Sequence, residues 1–413
     1  MIPKLRRLFM WLYPGIGIKR WIGLCAFGVV LLLLGSGGLS GGRFTVIRVL
    51  DLIILASGLV ILILGVKRLL NSLINAYMPA SRHDDLVDVL YQRKQLSRGP
   101  KIVTVGGGTG LSMLLAGLKE YSSNISAIVT VADDGGSSGR LRQQFDILPP
   151  GDIRNCLVAL ADASSMMRDL FQFRFDAGSE LKGHSFGNLF ITVMTRLTGD
   201  FEKAIRETSK VLALRGQVIP STLENVVLVA RHKDGSTTEG EYNIPQAHKA
   251  IHQVHLNPAS PQAAPEAVRA IREAEVIVLG PGSLYTSIIP NLLIRQITDA
   301  IVSSRAIKVY VCNIMTQPGE TDGYSVSAHV RSLIDHSHPR VIDYCIVNTA
   351  EIPEQILKRY EGQGAYPVDN DRRAVQRMGY RVIEDDTINL ADDIIRHDTL
   401  KLAKVILNLL EEL

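Results

Sequence analysis

Residues 101–110 read KIVTVGGGTG. The apolar run Ile102 to Val105 has the length and the β-branched content of a buried parallel strand. It breaks into Gly106, Gly107 and Gly108, then Thr109 and Gly110, and an apolar-periodic helix begins at Leu111. A strand, a glycine turn and a helix N-terminus gather backbone N–H groups and the positive end of a helix dipole at one point. That arrangement suits a phosphate, and glycines let the backbone approach it without a Cβ in the way. The competing reading is a glycine turn that only tightens a strand–helix corner.

Outward from this stretch, strand-like and helix-like runs alternate, the pattern of an α/β sheet. Strands are expected at 101–105, 125–132, 275–280, 307–312 and 341–347. Helices are expected at 111–121, 152–163, 186–197, 201–213, 291–304, 325–335 and 395–411. Between residues 215 and 260 the pattern changes. LENVVLVARHKDGSTTEGEYNI reads as a β-hairpin turning at Asp234-Gly235, and IHQVHL as a further strand. This small β insertion returns to the α/β pattern through NPASPQAAPE.

The carboxyl ends of the expected strands carry the polar chemistry. The second strand ends in Asp133 and Asp134, and Asp133 follows Gly110 by 23 residues. An acid at that place accepts hydrogen bonds from a ribose in a dinucleotide fold. Two adjacent acids before Gly-Gly-Ser-Ser also suit Mg²⁺ held between a carboxylate and a diphosphate. A solvated turn with an Asp cap is the plain alternative. Asp152, in PPGDIRN, reads as a helix N-cap. Arg154 in the first helical turn opposes the macrodipole unless it faces an anion. Ser185 reads as a cap in KGHSFGN, with His184 and Asn188 able to face a ligand. No Ser–His–Asp order and no GxSxG elbow makes Ser185 a nucleophile.

GPGSLYTS, residues 280–287, is a second strand–glycine–helix corner, presenting Gly282 and Ser283. Two such corners on one parallel sheet can converge on one diphosphate. The strand at 307–312 runs into Asn313 to Thr321, and that at 341–347 into Asn348-Thr349. Five strands thus present polar or glycine residues at the edge where open α/β sheets bind ligands. Tyr360, at a helix end, is a candidate to stack on a base, and Arg396 to reach a phosphate or sugar.

The first hundred residues differ in kind. Residues 21–42 carry no charge, and a second apolar stretch runs from 44 to 66 with Arg48 and Asp51 near one end, spaced to pair. Each is long enough to cross a bilayer. Lys4, Arg6, Arg7, Lys19 and Arg20 precede the first stretch, and Lys67, Arg68 and Arg82 follow the second. The positive-inside rule therefore predicts a transmembrane hairpin with both ends in the cytoplasm, in preference to a cleaved signal peptide. The expected organisation is a basic N-terminus at 1–20, a hairpin at 21–66, a juxtamembrane linker at 67–99 with a surface helix from Ser81 to Leu96, and the body at 100–413. The hairpin expects an inner (plasma) membrane location with the body on the cytoplasmic side.

Residues 1–80 hold nine Lys and Arg against one acid, Asp51, so the rest of a chain of net charge +4 is net acidic. That argues against a nucleic-acid footprint on the body. Cys25, Cys156, Cys312 and Cys345 form no CxxC pair, and the last three read as core thiols.

The runs VGGGTGLS, ADDGGSSGRLR, PPGDIRNCL, HSFGNLF, GPGSLYTSI and CNIMTQPGET, in this order, resemble the blocks of the gluconeogenesis-factor proteins, relatives of 2-phospho-L-lactate transferase. The resemblance spans about residues 100–411. It implies a Rossmann-like three-layer α/β/α domain with a nucleotide ligand. In the transferase branch this is a guanosine-diphosphate-linked donor with a divalent metal. In the gluconeogenesis-factor branch, the nearer match, it implies a UDP-sugar and a link to cell shape and wall synthesis. Carried over by position, Gly106 to Thr109 line the diphosphate, Asp133 and Asp134 face metal or ribose, and Asn188 with Gly282 and Ser283 complete the pocket. The expected partners are a nucleotide sugar, the membrane, envelope-synthesis proteins and a second copy of the chain, with no tightly bound organic cofactor. Catalysis stays open between a nucleotide-sugar binding module and a Mg²⁺-dependent transferase. An NAD-dependent oxidoreductase is disfavoured because GGGTG is not a GxGxxG.

Overall fold

The computed structural model describes residues 18–39, 45–77, 94–176 and 180–411, and divides the chain into two compact units after residue 92. The expected basic stretch at 1–17, the hairpin loop at 40–44 and most of the expected linker helix lie outside the described residues.

The first unit holds helices α1 (Ile18–Leu39) and α2 (Thr45–Tyr77), both long and apolar enough to cross a membrane by length and composition. α2 runs eleven residues past Val66, where the apolar stretch was expected to end. Glycines set the packing of the pair. A Cβ on Gly28 would lie 2.8 Å from the Leu62 nitrogen, and one on Gly58 2.9 Å from the Leu32 nitrogen. Backbone therefore meets backbone, as in membrane helix pairs joined through small residues. The outer faces expose Phe27, Leu33, Leu34, Leu50, Ile53 and Ile63. Trp21 lies under the Arg68 guanidinium at 5.0 Å, which places the start of α1 beside Arg68 of α2. The expected Arg48–Asp51 pairing does not form: Arg48 is exposed, while Asp51 is buried with its Oδ2 unpartnered.

The second unit is built on a seven-stranded sheet, all parallel, in the order β10-β9-β8-β7-β1-β2-β3. The strands are β1 (Ile102–Gly106), β2 (Ile125–Val129), β3 (Gln217–Pro220), β7 (Val276–Leu279), β8 (Ile307–Val311), β9 (Tyr344–Asn348) and β10 (Arg381–Asp385). β1 and β7 are buried along their whole length, which is why they read as unbroken apolar runs. Chain order runs outward from β1 through β2 to β3 on one side, and from β7 through β8 and β9 to β10 on the other. The switch point lies between β1 and β7, and right-handed crossovers leaving it in opposite directions put helices on both faces. The expected Rossmann-like α/β/α class is the fold observed. β3 and β10 escaped the sequence reading: both lie at the sheet edges, where polar residues such as Gln217, Glu384 and Asp385 break the apolar run.

The insertion is a three-stranded antiparallel sheet, β5 (Thr237–Glu239), β4 (Val227–His232) and β6 (Ile251–Asn257), with β4 central. Gly235 turns the hairpin at φ 84°. Cys156, Cys312 and Cys345 are buried thiols. The last helix, α3 (Thr399–Glu411), folds back on the helix that follows β1, with Gly117 admitting the Thr399 carbonyl.

Candidate functional site

Two glycine corners meet at the switch point. After β1 the chain enters helix Gly108–Leu118 through Gly108, whose φ of 66° is left-handed and suits glycine. A Cβ on Gly110 would lie 2.6 Å from the Pro281 carbonyl oxygen, so the first corner touches the second backbone to backbone. The second corner continues as a π-turn, with Ile288 N–H donating to Ser283 O at 3.0 Å. Such turns concentrate at functional sites. The fully buried Asn291 amide ties the corners by donating to Gly106 O at 3.2 Å and Ser287 O at 2.8 Å.

Beside these corners opens a cleft of about 520 Å³. Gly107 to Gly110 line it together with Gly282 and Ser283. Tyr360, Ile395, Arg396 and His397 also line it. The Gln317 amide donates to Ser283 Oγ at 2.7 Å. The Tyr360 hydroxyl accepts from Ile395 N–H at 2.9 Å, which anchors the ring at the rim. Burial holds His397 down to about 4, hence neutral, between Thr387 and the Cys312 carbonyl. Of the expected site residues, seven line this cleft: Gly107, Gly108, Thr109, Gly110, Gly282, Ser283 and Tyr360, with Arg396 an eighth. A larger hollow, about 760 Å³, opens at the other end of β3 and lies away from both corners.

Gly106 stands behind the cleft as the last residue of β1. Asp133, Asp134 and Asn188 lie outside the cleft lining, with the acids after β2, the strand on the other side of β1 from β7. There the acids join Asp152, whose Oδ2 accepts from Gly108 N–H at 2.7 Å. Asp152 is thus not the expected N-cap: that place falls to Pro150, and the carboxylate serves the glycine turn instead. Burial, then the Asp133 charge, raises Asp152 to about 7. Burial raises Asp133 as well, against hydrogen bonds from Gly135 and Ser138.

Two further carboxylates enter this field, and local sequence did not single them out. Burial pushes Glu320 up to about 7; its Oε1 accepts from Thr286 and its Oε2 is unpartnered. Glu241 is raised well above the usual range by burial and then by Asp152, Asp133 and Glu320, and its Oε2 is likewise unpartnered. Each stands beside a glycine in a polar loop, and only that neighbour hinted at a tight approach. Tyr242 N–H donates to Asp134 Oδ1 at 2.9 Å, which seats the insertion on the acids.

Asn188 sits behind the acids. Its amide donates to Ser137 Oγ at 3.1 Å, and Ser137 contacts His184 Nδ1 at 3.0 Å. Ser185 caps its helix as expected, accepting from Asn188 N–H at 3.3 Å. Among the described residues no group of three His, Cys, Asp or Glu side chains is arranged to enclose a metal ion.

A family model described as 2-phospho-L-lactate transferase CofD matches residues 102–388. A Bacillus subtilis protein named "Gluconeogenesis factor" is 50% identical over 317 residues, covering 77% of this chain and all of its own. A Nostoc sp. protein is 47% identical over 429 residues, covering 98% of this chain and 93% of its own. Among solved structures, a Bacillus halodurans protein of the UPF0052 family has a TM-score of 0.73 at 46% identity, covering 75% of this chain and 99% of that one.

Proposed function

The chain belongs to the family of 2-phospho-L-lactate transferase CofD and, within it, to the gluconeogenesis factors, and from that premise we propose that its body binds a nucleoside diphosphate sugar. The observation that carries the reading is the contact between the two glycine corners at the switch point, where open α/β sheets take nucleotides. The diphosphate lies along Gly107–Gly110 and Gly282–Ser283, the base stacks on Tyr360, and Arg396 pairs with a phosphate. The distal sugar crosses the glycine ridge toward the acids. A UDP-sugar is the favoured ligand, through the gluconeogenesis-factor branch and its link to cell shape and wall synthesis.

The hairpin tethers this body to the inner face of the plasma membrane. The glycine-packed apolar pair and the basic residues at one end of it support that placement. In this reading the protein couples nucleotide-sugar supply to envelope synthesis, through envelope-synthesis proteins and as a homo-oligomer. Equilibrium binding on full-length protein in detergent tests it: UDP-sugars should bind at micromolar concentration or better, and absence of binding to any nucleotide sugar rejects it.

A second reading is favoured by the carboxylates. Asp133, which burial and then the Asp134 charge disfavour as an anion, would with Asp134 offer Mg²⁺ two carboxylates, the donor diphosphate supplying the other oxygens. When bound, the cation neutralises the charge of a leaving nucleotide phosphate. The protein itself contributes the acidic side chains and the N–H groups of the glycine turn. Donor turnover by the purified protein, abolished in Asp133→Asn, is the result that makes it an enzyme.

A further inference from the structure

Beyond the acids, three arginines gather around one short loop. Arg140 donates to the Lys182 carbonyl at 2.8 Å, and Arg174 to the Gly183 carbonyl at 2.6 Å. Arg154 donates to Ser185 Oγ at 2.5 Å and to Asn155 Oδ1 at 2.6 Å. Among the described residues, none of the three has a carboxylate within salt-bridge distance. Arg154 is only 8% exposed, and its Nε is buried without a partner. After burial itself, the charge that most perturbs Arg154 is another cation, Arg174; the attraction of Asp152 and Asp133 ranks below it. A buried guanidinium facing a second guanidinium is costly unless an anion sits between or beside them.

The surroundings complete a receptor. Gly183, at φ 79°, is left-handed in the loop whose carbonyls the two exposed arginines grip, and a Cβ there would lie 3.1 Å from an Arg140 nitrogen. Ser137, in the first turn of the ten-residue helix Gly136–Phe145, is held beside the loop by the Asn188 amide, which donates to its Oγ at 3.1 Å, and by His184 Nδ1 at 3.0 Å. The cation at Arg154, unfavourable at a helix start, then has a reason to be there. The succession Gly108, Asp152, Arg154, Arg174 leads from the glycine turn, past the acids, to this cluster.

We infer that Arg140, Arg154 and Arg174 form a second anion subsite, which takes an oxyanion, carboxylate or phosphate, on the far side of the acids from the nucleoside cleft. The oxyanion comes either from the distal part of the nucleotide-linked ligand or from a separate small anion bound beside it. The reach of the first source rests on the nucleotide-sugar reading above; the subsite itself does not.

Full-length protein in detergent decides it by calorimetric titration with UDP, UDP-glucose and UDP-glucuronate, and with inorganic phosphate in the presence of UDP. Arginine-dependent capture of a distal group predicts UDP-glucuronate binding about tenfold tighter than UDP-glucose, the equivalent of one charged hydrogen bond. Capture of a separate anion predicts saturable phosphate binding instead. In R140Q/R174Q, which keeps amide donors for the two carbonyls but removes the charge, either preference should vanish while UDP affinity stays unchanged. The inference is overturned if neither preference appears in the parent, or if one persists in the variant. If no nucleotide binds, the nucleotide-sugar reading fails, and phosphate binding alone, lost or kept in R140Q/R174Q, still decides the subsite.

Discussion

The carboxylate of Asp152 accepts a hydrogen bond from the backbone N–H of Gly108 at 2.7 Å. This bond ties the glycine turn that lines the cleft to the acids after β2. It also spends a turn N–H on a carboxylate whose charge burial and Asp133 disfavour.

Asp152 makes stability depend on pH. Its folded value of about 7 stands above the ordinary 3.8, so between those values the native state keeps a proton that the unfolded chain releases. The contribution is full below the unfolded value and is lost as pH rises toward 7. Asp152→Asn should flatten the melting temperature between about pH 4 and pH 7 and raise stability at and above the alkaline end of that range, by up to about 4 kcal/mol. Calorimetric melting across this range checks it; parallel curves for variant and parent would remove Asp152 from the account.

Mg²⁺ should relieve the same repulsion. It is expected to raise the melting temperature of the nucleotide-bound parent and to lower nucleotide Kd, with both effects reduced in Asp133→Asn. A thermal-shift series with and without Mg²⁺ measures this. Identical shifts in parent and variant would separate Asp133 from any cation.

The contact between the corners should tolerate no side chain. Gly110→Ala puts a Cβ 2.6 Å from the Pro281 carbonyl oxygen, which is backbone and cannot swing away. A loss of about 1–3 kcal/mol is expected, with weaker nucleotide binding. Chemical denaturation reads the first effect and titration the second. Unchanged stability would mean that the corners part without cost.

Tyr360 should act through its ring. Its hydroxyl serves Ile395 N–H, so Tyr360→Phe should keep nucleotide affinity within about threefold, while Tyr360→Ala should lose about tenfold or more through lost stacking. Equal losses in the two variants would instead assign the effect to the rim hydrogen bond.

The hairpin predicts a membrane-bound chain. Full-length protein should sediment with membranes, resist alkaline carbonate and be released by detergent. Gly28→Leu and Gly58→Leu, which drive side chains into the facing backbone, should weaken the pairing of α1 and α2 without releasing the chain. Extraction by carbonate would turn the pair from a span into a surface attachment.

By itself the sequence determined the α/β class, the strands nearest the switch point, both glycine corners and the two apolar helices. Each of these rests on local rules: an unbroken apolar run for a strand covered on both faces, glycine where the backbone turns left-handed or touches backbone, and charge-free length for a bilayer. Tertiary structure alone decided how the polar residues divide. Asp133, Asp134 and Asn188 fall on one side of the glycine ridge, and Tyr360 and Arg396 on the other, because the strand order reverses between β1 and β7. It also turned Asp152 from a cap into the support of Gly108, and drew in Glu241 and Glu320 from loops 79 residues apart in the chain. Burial and charge–charge distance act through space, and a residue's neighbours in sequence carry no record of them.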